Sequence, residues 1–102
     1  MTKSDHKLIP IFTIQDVKCK IYSVPPWASL SMDTDAAGIR HFIGMMRDNC
    51  AAFRWYNPAD YRLYRVGYFD IDNGTVIGEQ PDLLLDGASL DISDWEVGVS
   101  TK

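Results

Sequence analysis

YRLYRVGYFD, residues Tyr61–Asp70, is the stretch whose reading decides the fold. Aromatic, aliphatic and β-branched side chains fill it without a proline, which is strand composition. Even positions carry Arg62, Tyr64, Val66 and Tyr68; odd positions carry Tyr61, Leu63, Arg65, Gly67 and Phe69. Both faces bear large side chains, so alternation leaves open which one is buried. Asp72-Asn73-Gly74 follows, and Asn-Gly readily takes the positive φ of a tight hairpin turn. Thr75-Val76-Ile77 then reads as the returning strand.

Upstream, Ile9 to Val17 and Ile21-Tyr22-Ser23-Val24 are also β-rich, joined by the polar Gln15-Asp16-Val17-Lys18. They form either a strand pair or one bent strand. Pro25-Pro26 cannot donate to a central ladder, so the chain turns there or runs along a sheet edge. Asp33 and Thr34 signal a helix start, and a helix is expected from about Asp35 to Asn49. Ile39, Phe42, Ile43 and Met46 fall at i, i+3, i+4 and i+7, with Ala36 and Cys50 extending the stripe. Gly38 and Gly44 cost helix propensity, which points to close packing against a sheet. Arg40 and Arg47, seven positions apart, share the side away from that stripe, beside His41. Asn57-Pro58-Ala59-Asp60 is a turn feeding the strand at Tyr61.

The expectation is therefore a small α+β domain, an antiparallel sheet packed on one main helix in the order β-β-α-β-β. The domain spans 1–78, and 79–102 is an acidic, loop-rich tail packed on it or extending from it. The 102 residues, 46% hydrophobic and 24% charged, suit one globular unit, and at this size a homodimer is possible. No apolar run approaches the length of a membrane span, and the polar start lacks a signal-type apolar core, so neither membrane nor export is expected. Two cysteines without a CxxC pair fit reduced thiols in a cytoplasm. The net charge of −4 is unevenly spread: residues 1–68 carry +3 and residues 69–102 carry −7. That asymmetry suggests a nucleic-acid-facing front with an acidic tail that competes for it, against the plainer reading of a solvated surface. The tail's expected anchors are Leu83, Leu84, Leu85 and Trp95.

Enzyme chemistry finds little support. Asp70–Gly74 resembles a calcium loop, but its Gly stands fifth rather than sixth and Pro81 occupies the position of the required Glu. His6 and His41 lack partners at metal spacing, and Cys50 lies on the helix's apolar stripe, where a structural thiol is usual. No phosphate loop or nucleophile elbow occurs. We expect no catalytic residue, no metal and no cofactor.

Aromatic residues interleaved with arginine are the strongest functional pattern: Arg54-Trp55-Tyr56, then Tyr61-Arg62-Leu63-Tyr64-Arg65, then Tyr68. Single-stranded nucleic acid is bound in this way, bases stacking on rings while Arg meets phosphate. The competing reading places the rings in the core with Arg62 and Arg65 reaching out to water.

The run Phe12 to Asp16, followed by Ile21-Tyr22-Ser23-Val24-Pro25-Pro26-Trp27, resembles the opening of gokushovirus-type (Microviridae) phage nonstructural proteins, where an aromatic follows a proline pair. Ala36 to Phe42 resembles their helix more loosely. Asn57 to Asp70 follows their pattern x-P-x-D-[FY]-x-L-[FY]-x-[IL]-G-x-F-D closely. The likeness covers about residues 11 to 77. It implies a small DNA-binding protein of a single-stranded DNA phage, acting in the host cytoplasm. By analogy with microvirus protein C, such a protein helps shift viral DNA replication from duplex to single-strand synthesis and genome packaging. No catalytic residue comes with the resemblance.

Two functions follow. One is a single-stranded DNA binding module using Arg40, Arg47, Arg54, Trp55, Arg62, Tyr64, Arg65 and Tyr68. The other is an adaptor engaging a phage or host replication or packaging protein without touching DNA. A third reading makes the acidic tail a mimic of nucleic acid. Charge geometry separates the first two. Arginines gathered on one face beside exposed rings favour DNA; arginines paired with Asp33, Asp35, Asp48 and Asp60 favour the adaptor.

Overall fold

The computed structural model describes residues 7–93 and residue 95. His6 and the last acids of the tail lie outside the described residues. Four strands and one helix make an α+β unit: β1 (Leu8–Asp16), β2 (Ile21–Trp27), α1 (Asp35–Ala52), β3 (Tyr61–Asp70) and β4 (Thr75–Asp86). Short 3-10 turns lie at Leu30–Met32, Pro58–Asp60 and Gly87–Ser89. The sheet order is β2-β1-β3-β4, antiparallel throughout.

The first two β-rich runs are separate strands, turned at Val17–Lys20, where Lys20 adopts a left-handed backbone (φ 61°) and its amide bonds the Asp16 carbonyl. β2 continues through Pro25 and Pro26 because it is an edge strand, where a missing N–H costs no ladder bond. β1 is interior and registers with β3 from Leu8 opposite Asp70 to Asp16 opposite Tyr61.

α1 opens on Thr34, whose hydroxyl accepts the Ala37 amide at 3.1 Å. It runs one turn or so past the expected end, its last amide bond made by Phe53 to Asn49. The buried row is Gly38, Phe42, Met46 and Cys50, at strict four-residue spacing. Ile39 and Ile43 are only half-buried and Ala36 is exposed, which corrects the expected stripe. The cause is the approach of Phe12: a Cβ on Gly38 would stand 2.3 Å from its ring. That contact turns the helix so the 38–42–46–50 row faces the sheet, against Phe12, Ile14, Leu63 and Met32. Gly44 differs, for a Cβ there would meet nothing within 4 Å, so it does not serve helix–sheet packing.

The larger correction concerns the acidic segment. Residues expected to be loop-like from Gly78 onward continue β4 to Asp86, and Gly87 then packs on the Pro58 and Tyr61 carbonyls. Two register shifts absorb the extra residues around Gln80-Pro81 and at Leu84. Leu84, Leu85, Leu90 and Trp95 pack on the core, whereas Leu83 is exposed. At the other end of the hairpin the loop has four residues, and only its Gly74 takes positive φ (72°). Buried Asp70 holds it by accepting the amides of Asp72 (2.9 Å) and Asn73 (3.1 Å).

The two helix glycines should therefore respond in opposite directions. Gly38→Ala overpacks Phe12 and should cost about 1–3 kcal/mol. Gly44→Ala should stabilise by roughly 1 kcal/mol. Denaturant midpoints of the two variants check this.

Candidate nucleic-acid interface

The strand residues expected to form a stacking platform do not share one face. β3 carries an extra residue at Val66, since Ile11 pairs with Gly67 while Phe12 pairs with Arg65. Alternation breaks at such a bulge. Arg62 and Tyr64 stay together, but Tyr68 moves under Arg65, whose guanidinium lies 5.2 Å from its ring. Tyr64 donates its hydroxyl to Gln15 at 3.3 Å and meets Tyr22 edge-on at 5.5 Å. These are structural contacts.

The strand arginines are neutralised from β4 and the helix. Arg62 pairs with Asp86 across the ladder at 3.1 Å. Arg65, 14% exposed, holds Asp35 at the first turn of α1, Asp82 at 2.7 Å and Glu79 at 3.3 Å. Burial works against its charge, but the three carboxylates more than offset it and raise its pKa. Lysines are engaged too: Lys7 with Asp33 at 3.1 Å and Lys18 with Asp60 at 3.5 Å.

Arg40, Arg47 and Arg54 form no ion pair with any described residue, and all three are exposed. Arg47 lies 5.6 Å from the Trp95 ring. Arg54 stands where α1 ends, within a run of rings that adds Phe53 to the expected Trp55 and Tyr56. Phe53 and Trp55 stack at 5.3 Å and 30°, Trp55 meets Tyr56 at 5.9 Å, and Tyr56 stacks on Tyr61 at 4.8 Å and 9°. Tyr56 and Tyr61 are partly buried and anchor the run, while Phe53 is exposed and Trp55 is 69% exposed. The only local signal for Phe53 was its place beside Arg54-Trp55 at the helix exit.

An open groove of about 390 Å³ lies along the helix, lined by His41, Gly44, Met45, Asp48 and Asn49. Asn49 links it to the rings, because its carbonyl accepts the Phe53 amide at 2.8 Å. Cys50, by contrast, is fully buried, its thiol 3.8 Å from the Tyr56 carbonyl and its pKa raised by burial.

Two outcomes follow from this geometry. Arg65→Met leaves three carboxylates that are 36–55% exposed without their partner, and should cost about 1 kcal/mol, lessened by salt, in denaturant unfolding. Arg65→Lys should recover little, because one ammonium cannot reproduce the guanidinium fork. Burial, the main cause, pushes the Tyr56 hydroxyl up to about 12. The unfolded chain ionises near the ordinary 10, so stability present below that pH is lost as pH climbs toward 12. In Tyr56→Phe, thermal melts across this window should show a shallower loss.

No curated protein and no solved structure matches the chain. The model of one phage family, described as Phage ORF5 protein, matches residues 9–90. Apart from Leu8, that span takes in all four described strands, the helix and the ring run at the helix exit. The chain belongs to the Phage ORF5 protein family.

Proposed function

We propose that this phage protein binds single-stranded DNA at the exit of α1, not along β3. The observation that carries the reading is the stacked, exposed Phe53–Trp55 pair with, between them, an arginine that forms no ion pair among the described residues. Bases of a single strand stack on such rings whatever their sequence, and Arg54, with Arg47 and Arg40 along the helix, meets phosphate. A duplex keeps its base faces covered and cannot use the rings. The groove from His41 to Asn49 gives the strand a path, and Gly44 lets it approach the helix backbone. The resemblance to gokushovirus-type proteins extends this to a role in the passage from duplex replication to single-strand synthesis and packaging.

One observation favours the adaptor instead. Arg62 and Arg65 are bound to carboxylates, and one of them, Asp35, is among the acids that would mark that reading. With a net charge of −4, such a protein has weak long-range attraction for DNA.

Fluorescence-polarisation titrations of single-stranded and duplex DNA across a salt series test the proposal. The exposed Trp55 can be removed without opening the core, so Trp55→Ala should keep the melting temperature. It should weaken single-strand binding by roughly 1–3 kcal/mol for each base lost. Arg54→Ala should flatten the salt dependence by about 0.7 in slope. A folded wild-type protein that binds no single strand at low salt leaves the adaptor reading in its place.

A further inference from the structure

The two edges of the sheet are closed very differently. β2, at one edge, carries Pro25 and Pro26, which offer no N–H to an incoming strand. β4, at the other, presents Thr75-Val76-Ile77-Gly78-Glu79-Gln80 before Pro81 interrupts it. All six residues are exposed, Val76 at 68%, and no described strand pairs with their outer side. Folded proteins blunt such edges with charge, proline, a bulge or a covering element, and here a bulge spans 79–81, leaving Thr75–Gly78 as the regular part of the edge. Here the sole charge in the run, Glu79, is drawn to Arg65 of the neighbouring strand.

We propose that this edge pairs with the same edge of a second copy, antiparallel, about a two-fold axis at Ile77. The segment is self-complementary in that register. Ile77 meets Ile77, Gly78 leaves room opposite Val76, and Thr75 lies opposite Glu79, where its hydroxyl can donate to the carboxylate. Moving the axis to Gly78 would set Ile77 against Glu79, and moving it half a step would set Val76 against Glu79. Both bury an acid against an aliphatic side chain. Within Thr75–Gln80 no register from the Ile77 axis to the Gly78 axis places like charges opposite each other, and Asp82, which beyond Pro81 would lie opposite Asp72 of the second copy, is held by Arg65. The two sheets become one sheet of eight strands, and Val76 and Ile77 leave water.

Sedimentation velocity on the full chain over a concentration series tests this. Wild type should reach the mass of a dimer. Val76→Lys puts a cation beside the axis in each copy and should be monomeric at concentrations where wild type is dimeric. Ile21→Lys, on the opposite edge, should remain dimeric. Melting curves and circular dichroism establish that both variants are folded. In a Cys19→Ser background, Ile77→Cys should cross-link to itself on oxidation, because facing cysteines across an antiparallel pair lie within disulfide reach. Wild type that stays monomeric overturns the proposal. So does a dimer that survives Val76→Lys, or one whose residue-77 thiols never join. None of these outcomes depends on DNA, so they leave the single-strand reading to its own titration.

Discussion

One guanidinium holds the parts of this molecule in register. Arg65 reaches Asp35 at the start of the helix and Glu79 and Asp82 on the last strand, so helix, central strand and edge strand meet at one side chain. The guanidinium is 14% exposed but its three acids are 36–55% exposed, so water and salt weaken each attraction and the arginine acts more by joining three elements than by the strength of any one pair. The arrangement also explains the irregular register of β4. Between its pairings with Arg65 and Gly67 the partner position moves from Asp82 to Gly78, and the added residues bring Glu79 within reach of the same arginine.

The second constraint is steric. Phe12, fully buried on β1, presses on the helix where Gly38 has no side chain. This contact sets which row of the helix is buried, and therefore which is left to solvent. Gly44, Arg40 and Arg47 fall on the outer side as a result, and the groove from His41 to Asn49 opens along it. Packing on the inner face has thus shaped the outer one.

Charge is used in two ways in this fold. The arginines of the central strand are committed to folding, where the acids of β4 answer them. The arginines of the helix and its exit form no ion pair with a described residue; Arg47 lies over Trp95, and Arg54 stands between the exposed Phe53 and Trp55. A negatively charged chain can in this way present a local basic, aromatic surface, since at physiological salt a charge acts over only about 8 Å.

Much of the architecture was legible in the residues themselves. The span of β3, the helix start at Thr34 and the hairpin at Asp70–Gly74 follow from local rules of propensity and capping, while missing donors narrowed Pro25-Pro26 to a turn or a sheet edge. Those rules act within a few residues, so one chain displays them. Three features lay beyond them. The bulge at Val66 separated Tyr68 from Arg62 and Tyr64, and a single strand's alternation does not reveal where its neighbour gains or loses register. The continuation of β4 through Glu79-Gln80-Pro81-Asp82 depends on Arg65 and Arg62, which lie more than a dozen residues away and turn apparent loop acids into strand partners. The division of arginines into committed and free was likewise tertiary. Sequence lists the charges, but only the folded chain decides which of them meet.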